Sequence, residues 1–588
     1  MSISGALIVV AASVLVAPVG AYPGSPWFAP ERPYAGNFPD PHVIFDAATT
    51  TYIAYGTNTG GATMPTMQSA DLVTWTAKAD GISTPSWAAS VGGGAELWAP
   101  SVHRMPNGKW NAYYSVRQSN GSTPRYCITV ATGTRALGPF VDNSEEPLTC
   151  GYGPAGAIDP WVYIDGANDP WLVWKTENHA AVEIADDDAH FPLTEELIAE
   201  REKAREDLAE GDPPLPLRVL PATADAIWSQ RLDPTGLAFH QPDDVEAERS
   251  RASILLTANS GGWEDNLIES PALFTAGGRL HLLYSGNRWD SHEYATGWAT
   301  CSSPAGPCAR AISGPLVQHG GDINGPGGAS VFTDRLGDLR IAYHAWNAPH
   351  VSYPRYPSCD DDGDGICADD GQRFLEIDQL CVLPNRSLHV GVPAGWAFCD
   401  VEPSRWFGPG VAWMATEEIT TGISEGRFAP SRPLTRAEAV TFLWRWAGEP
   451  AASVPAPFTD VEADRYYTNA VAWAAEVGVI RGTTPTTFSP DDIIDRAQIV
   501  TILHRAAGET PPVEPSPFAD VPVDSYYSLA ATWAAEVALT TGVTPTEFQP
   551  SQPTTRAQIG TFLCRFSGTP VEPETGIVGA AAPCGEPA

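Results

Sequence analysis

Two hydrophobic patterns divide the chain. Across the N-terminal two-thirds, short runs alternate apolar and polar residues, the period-two signature of half-buried strands. Thr51-Tyr-Ile-Ala-Tyr55, Lys109-Trp-Asn-Ala-Tyr-Tyr114, Trp171-Leu-Val-Trp174 and Arg279-Leu-His-Leu-Leu-Tyr284 are the clearest, each after a Gly, Asn or Asp turn. In the C-terminal third the apolar spacing becomes helical, as in the stretch AVAWAAEVGVI from Ala470. Residues 6–17 form a third pattern, an apolar run followed by the small residues Val19-Gly20-Ala21. This predicts a secretory signal over 1–21, although no Lys or Arg precedes the run. The run is too short to read as a membrane span, and no other stretch is apolar enough, so none is expected after signal removal.

Both patterns repeat. Phe398-Cys-Asp400-Val, Phe458-Thr-Asp460-Val and Phe518-Ala-Asp520-Val recur at a spacing of 60 residues. Each is followed by aromatic residues (Trp406-Phe407, Tyr466-Tyr467, Tyr526-Tyr527), a helical stretch, a turn and a second helix. That helix opens with Thr435-Arg-Ala-Glu438, Asp495-Arg-Ala-Gln498 or Thr555-Arg-Ala-Gln558. A Thr or Asp followed three residues on by Glu or Gln is a capping box.

The N-terminal repeat is quieter. Asp40-Pro-His-Val43, Ala99-Pro-Ser-Val102, Asp159-Pro-Trp-Val162 and Ser270-Pro-Ala-Leu273 align, and Ala329-Ser-Val331 is a fifth copy without the proline. The proline steps are 59, 60 and 111 residues, and the long step contains an acidic, helix-patterned stretch at 179–224. Five units of about 60 residues predict a five-bladed β-propeller. A β-sandwich does not explain five equivalent positions. The expected fold class is therefore mainly β, a five-bladed propeller over 22–390 followed by three small α-helical repeats within 391–572 and a tail at 573–588. The repeats cover about 398–450, 458–508 and 518–568.

Composition narrows the partners. The 588 residues carry 70 acidic and 34 basic side chains, a formal charge of −36, and only four of the basic residues are lysines. Such a surface repels phosphate backbones, so nucleic acid is not an expected partner. The 54 Gly, 55 Pro and 20 Trp fit a β-rich, carbohydrate-handling protein. Ten cysteines fall in local couples: Cys127/Cys150, Cys301/Cys308, Cys359/Cys367, Cys381/Cys399 and Cys564/Cys584. Local couples without any CxxC pair predict disulfides in an oxidising compartment rather than zinc.

A propeller gathers equivalent positions around one axis. Asp40 and Asp159 occupy the repeat position, and Glu269 stands one residue before it in the fourth unit. Glycoside hydrolysis needs two carboxyl groups, one protonated for the leaving oxygen and one ionised to activate water. A third nearby carboxylate raises the acid's pKa by repulsion. For either aspartate alone, a turn residue before proline is the plain reading. The three together point to chemistry.

Several ordered stretches match a known family. They are Asn37-Phe-Pro-Asp40-Pro, Leu97-Trp-Ala-Pro-Ser101, Ala157-Ile-Asp159-Pro, Ile227-Trp-Ser-Gln230, Ile268-Glu269-Ser-Pro271, Tyr284-Ser-Gly-Asn287 and Tyr343-His-Ala-Trp346. Across residues 30–390 the chain resembles family 43 glycoside hydrolases, which are five-bladed propellers that invert anomeric configuration. The resemblance implies Asp40 as general base, Glu269 as general acid and Asp159 as the residue that tunes and orients the acid, with no catalytic cofactor. Glu264 is the rival acid. It also implies α-L-arabinofuranosyl or β-xylosyl substrates in plant-type polysaccharides. Trp98, Trp263 and Arg288 are the expected substrate contacts. His344 is expected near the axis, where some relatives hold calcium; the family's Gly-Pro-Gly-His stands here as Gly325-Pro-Gly-Gly328.

The C-terminal units resemble S-layer homology repeats. That implies non-covalent attachment to an anionic cell-wall polymer, with Arg436, Arg496 and Arg556 as the expected contacts and Gln replacing the motif's last Glu in two copies. The run from Cys359 to Asp370 sets Asp360, Asp362 and Asp364 in an alternating pattern before Gly365, resembling a calcium loop without its final Glu. A solvated, disulfide-tied acidic loop is the alternative. The combined expectation is a secreted, cell-surface glycosidase with possible structural calcium. The rival is a non-catalytic glycan-binding adhesin on the same scaffold.

Overall fold

The computed structural model describes residues 36–568 and Cys584, apart from 60, 92–93, 119–124, 152–155, 177–224, 241–251, 260, 321–322, 348–350, 352–370 and 425. The signal at 1–21, the insertion at 179–224, the acidic loop with Asp360, Asp362 and Asp364, the Cys359/Cys367 couple and all of the tail except Cys584 lie outside the described residues.

The chain forms two compact units, 1–378 and 379–588. In the first, strands follow one another as antiparallel meanders. The first blade is His42–Asp46, Thr51–Tyr55, Thr66–Ser69 and Trp75–Lys78. The second is Leu97–Arg104, Trp110–Arg117, Tyr126–Gly133 and Phe140–Val141, with Ile82–Ser83 added at its outer edge. The third is Ala157–Ile164, Pro170–Thr176, Ala226–Arg231 and Ser253–Thr257. The fourth is Ile268–Ala276, Arg279–Gly286, Ala295–Cys301 and Cys308–Arg310. The fifth is Ile323–Thr333, Leu339–Asn347, Arg373–Val382 and Leu388–Val390. This is the five-bladed propeller that the repeat predicts.

Apolar faces of neighbouring blades pack together. Ile53 and Tyr55 of the first blade share a cluster with Leu97, Val116 and Phe140 of the second. Phe38 and Tyr52 share one with Phe332, Leu375 and Ile377, which closes the ring. The Phe38 N–H also donates to the Arg373 carbonyl at 2.7 Å.

The inner strands carry the repeat's physical content. Asp40, Ala99, Asp159, Ser270 and Gly328 all have positive φ, at 49°, 42°, 57°, 51° and 62°. Strand register breaks at this point in blades two to five. These are bulges, which re-aim a side chain out of the strand's alternation. All five residues line one narrow axial space. Gly328 takes the left-handed place in the fifth blade, so Ala329 stands where the other units have proline.

A bulge leaves its N–H outside the ladder, and here the preceding blade takes it up. Asp40 N–H donates to His344 Nδ1 (3.1 Å), Ala99 to Thr57 Oγ1 (2.8 Å), Asp159 to Ser115 Oγ (3.0 Å) and Gly328 to Ser285 Oγ (2.9 Å). Ser270 N–H also goes to the preceding blade, but to the carboxylate of its bulge residue, Asp159 Oδ2, at 2.9 Å.

The second unit begins at Gln379, ahead of the expected boundary at 390. Leu380–Val382 pairs with Leu388–Val390, and the Cys381–Cys399 disulfide ties this hairpin to the first helical repeat. Three helix pairs follow: Gly408–Thr416 with Arg436–Trp446, Thr468–Glu476 with Arg496–Ala506, and Ser528–Glu536 with Arg556–Ser567. All three predicted capping boxes form, on Thr435, Asp495 and Thr555. The repeats close into a triangle of backbone hydrogen bonds: Leu434 N–H to Thr554 O, Ile494 N–H to Leu434 O, and Thr554 N–H to Ile494 O, at 2.8, 3.0 and 2.9 Å. Among the described cysteines, Cys127–Cys150, Cys301–Cys308, Cys381–Cys399 and Cys564–Cys584 are bonded as the sequence couples predict. No described helix is long and apolar enough to cross a membrane.

Gly328 is doubly constrained. A Cβ there would lie 2.6 Å from His344 Nδ1 and 2.9 Å from Asp40 Oδ1, in a backbone conformation that side chains resist. Gly328→Ala is expected to cost about 1–3 kcal/mol of stability, measured as a lower urea midpoint of the propeller. An unchanged midpoint would mean that the neighbours yield without cost.

Candidate active site

Asp40, Asp159 and Glu269 line one cleft of about 570 Å3. Three different blades supply them, and a left-handed backbone turn aims each of the two aspartates. The cleft's size and mixed lining suit a small polar ligand.

The electrostatics of the three acids differ. Asp40 Oδ2 accepts from Thr57 Oγ1 at 2.6 Å, and its Oδ1 lies 3.3 Å from Arg373 Nη1. Burial alone would raise its pKa, but Arg373, His344 and Thr57 outweigh burial and hold the carboxyl well below the usual range. Asp40 is therefore ionised at any physiological pH. Arg373 packs against two aromatic rings, its guanidinium 4.9 Å from the Trp289 ring and 5.7 Å from that of Trp346.

Glu269 is held at both oxygens. Lys175 Nζ lies 3.0 Å from Oε2, and Tyr294 OH donates to Oε1 at 2.7 Å. Burial and the charges of Glu269 and Asp40 push the Tyr294 phenol well above its ordinary value, so it stays a donor. Asp159 has no cation in direct contact; Ser270 N–H and Oγ reach its Oδ2 at 2.9 and 3.3 Å. Burial and the Glu269 charge push Asp159 up to about 8, against a smaller lowering by Lys175. The sequence expectation set the elevated pKa on Glu269. Asp159, buried beside the charge of Glu269, is a carboxyl that this environment lifts.

The rival acid Glu264 is structural. It is buried beneath Arg310, whose Nε and Nη2 donate to its two oxygens at 2.6 and 2.5 Å, and it accepts from Tyr284 OH at 2.8 Å. Trp98 lines the cleft and stacks on Tyr126 at 4.1 Å. Trp263 does not line it; its ring packs on Tyr284 and over the bare backbones of Gly286 and Gly297. Arg288 lines the cleft and pairs with Asp290 at 3.0 Å. His344 Nδ1 takes the Asp40 N–H, and burial followed by Arg373 keeps the ring neutral. In that tautomer Nε2 carries the hydrogen, and this atom is buried with no hydrogen-bond partner among the described residues. Among the described residues no group of three or more His, Cys, Asp or Glu side chains is placed to hold an ion.

Sequence reading missed Lys175, Arg373, Tyr294 and Trp289. Two had a signal. Lys175 is one of four lysines and directly follows a predicted strand, and Trp289 directly follows Arg288. Arg373 and Tyr294 had none, because only the ring's closure and the fourth blade's loop bring them in.

In the second unit, Arg436, Arg496 and Arg556 are buried. Their Nε atoms donate to the carbonyls of Phe488, Phe548 and Phe428 at 2.9, 2.8 and 2.7 Å. Each arginine thus bolts its repeat to the next, and the third bolts back to the first. Arg556 also reaches Glu438 at 3.1 Å. The same positions in the other repeats hold Gln498 and Gln558. Trp406, Tyr466 and Tyr526, equivalent in the three repeats, are 65%, 59% and 66% exposed.

The shift on Asp159 makes a stability prediction. A carboxyl whose folded pKa is raised stabilises the fold at low pH and loses that contribution as pH rises through about 8. Asp159→Asn is expected to remove this loss, so the variant gains on wild type between pH 5 and 9 in urea titrations. A constant difference across that range would refute the assignment.

Residues 31–214 match the family model described as Glycosyl hydrolases family 43, and 397–440 and 457–500 match that of the S-layer homology domain. The chain is 27% identical over 175 residues to an S-layer protein of Bacillus thuringiensis subsp. finitimus, covering 29% of this chain and 21% of that one. It is 32% identical over 109 residues to an endoglucanase of Bacillus sp. (strain KSM-635), covering 18% and 11%. The chain spans about a fifth or less of the length of these curated relatives. Among solved structures it is similar to a thermostable family-43 glycoside hydrolase at 21% identity and a TM-score of 0.44, covering 62% of this chain and 96% of that one. It is also similar to an α-L-arabinofuranosidase from Lactobacillus brevis at 15% identity and a TM-score of 0.40, covering 61% and 94%. The N-terminal unit is a family 43 glycosyl hydrolase domain on a five-bladed propeller, and the C-terminal unit carries S-layer homology domains.

Proposed function

We propose that this chain is an inverting glycoside hydrolase held at the cell surface by its S-layer homology domains. Its substrates on this reading are α-L-arabinofuranosyl or β-xylosyl linkages of plant-type polysaccharides. The observation that carries the reading is the division of charge in the cleft. Asp40 is fixed as an anion by Arg373, while the Asp159–Glu269 pair retains a proton near neutral pH. Inversion needs that combination, a base on one side and an acid on the other.

In turnover, water attacks the anomeric carbon and gives its proton to Asp40. The glycosidic oxygen leaves with the bonding pair and takes the proton of the acid pair through Glu269. Trp98 offers a flat face to a sugar ring, and Arg288 offers donors to its hydroxyls. Neither step calls for a cofactor.

Release of sugar from aryl arabinofuranoside, aryl xyloside and linear arabinan tests the reading. Asp40→Asn and Glu269→Gln are each expected to lower kcat on the accepted substrate by about 100-fold or more. Proton NMR of the first-formed product should show the inverted anomer. Wild type and Glu269→Gln releasing equally little sugar, with glycan binding retained, would leave an adhesin.

The wall-binding part of the reading shifts from the arginines to the exposed rings of Trp406, Tyr466 and Tyr526. Arg436, Arg496 and Arg556 spend their Nε donors on neighbouring carbonyls, so their substitution weakens the fold along with any binding. The exposed rings do not carry the fold. Changing Trp406, Tyr466 and Tyr526 together to Ala is expected to abolish co-sedimentation with purified cell walls while leaving the melting temperature within about 2 °C. Undiminished co-sedimentation would remove these rings from the binding face.

A further inference from the structure

Lys175 breaks a rule that the other blades keep. In register, Trp98 faces Ser115, Ile158 faces Lys175, Glu269 faces Ser285 and Gly327 faces His344. Ser115, Ser285 and His344 each accept the bulge N–H of the next blade. Lysine has no lone pair to offer. The Ser270 N–H therefore goes to Asp159 Oδ2 instead, and the Lys175 ammonium is directed to Glu269. The lysine side chain is 2% exposed, and Asp225 Oδ2 lies 3.7 Å from Nζ on its other side. A buried ammonium is tolerated only with such partners.

We propose that Lys175 is the positioning residue of the acid pair: from a place that caps a bulge elsewhere, its ammonium fixes Glu269 Oε2 and sets how readily the pair of Asp159 and Glu269 gives up a proton. The proposal deepens the hydrolase reading and rests on these two residues being its acid side. When the proton passes to the leaving oxygen, the pair is left with two negative charges, and the Lys175 ammonium lies 3.0 Å from one of them, on Glu269. The same substitution of lysine for a capping side chain hands the Ser270 N–H to Asp159. One residue thus orders both acids.

Other charges face the pair. Tyr294 and Arg288 come from the fourth blade, Asp40 from the first, and His344 and Arg373 from the fifth. Glu96 of the second lines the same cleft. These groups are common to wild type and variants, so a shift on changing Lys175 reports the lysine.

The test compares Lys175→Met, Lys175→Arg and Asp225→Asn with wild type. Two readouts are taken: the alkaline limb of kcat/KM, and the infrared band of the protonated buried carboxyl followed with pH. In Lys175→Met both midpoints are expected to rise by about one to three pH units, with kcat falling and KM holding. Lys175→Arg should restore both. Asp225→Asn, which removes the carboxylate that competes with Glu269 for the ammonium, should move both midpoints down. Should the Met variant not fold, the Asn variant decides the question by the sign of its shift. Midpoints that coincide with wild type in folded Met or Asn variants would overturn the role of Lys175. If wild type releases no sugar, the hydrolase reading falls, and the infrared midpoints still decide the role of the lysine.

Discussion

The propeller depends on five left-handed residues at the start of its inner strands. Asp40, Ala99, Asp159, Ser270 and Gly328 share a backbone conformation that is costly for all but glycine. Each bulge frees an N–H that the strand ladder does not satisfy. The preceding blade takes it up in all five cases, so the strain of one blade is met by a side chain of its neighbour. This links the blades by more than apolar packing. It also turns selected side chains out of the strand and into the cleft, so the device that holds the ring presents the acids.

A chain with a formal charge of −36 has few cations to spend inside. It places two against the acids of the site. Arg373 goes to Asp40 and Lys175 to Glu269, while Asp159 receives only hydrogen bonds from Ser270. In a buried cleft, that allotment decides protonation. The carboxylate with a guanidinium beside it stays charged. The one without a cation in contact, next to another acid, takes up the proton.

The helical unit uses cations differently. Its three arginines lie under phenylalanine rings, with guanidinium-to-ring distances of 4.8, 4.8 and 4.6 Å, and donate to carbonyls of the next repeat. Three copies make a closed set because the third returns to the first through Arg556 and Phe428. The shared apolar core draws on all three repeats. Glu438 partners Arg556, and the glutamines at 498 and 558 make the other two junctions different in charge.

Much of this was legible in the sequence. The spacing of prolines 41, 100, 160 and 271 marks blades because each unit needs the same bulge at the same place. The capping boxes and four disulfides were legible because they are local in the chain. Asp40, Asp159 and Glu269 were legible through their repeat positions. What the sequence left open is which carboxyl keeps the proton, which aromatic rings face the ligand, and what the three arginines touch. Trp263 and Glu264 look functional in the chain and are packing residues in the fold. Lys175, Arg373 and Tyr294 pass unremarked in the chain and control the site. The reason is distance along the polymer. A fold class follows from periodic patterns within about 60 residues, whereas a pKa follows from whichever charges the closed ring sets within a few ångströms. Arg373 stands 333 residues from the carboxylate it governs, and only the tertiary structure brings the two together.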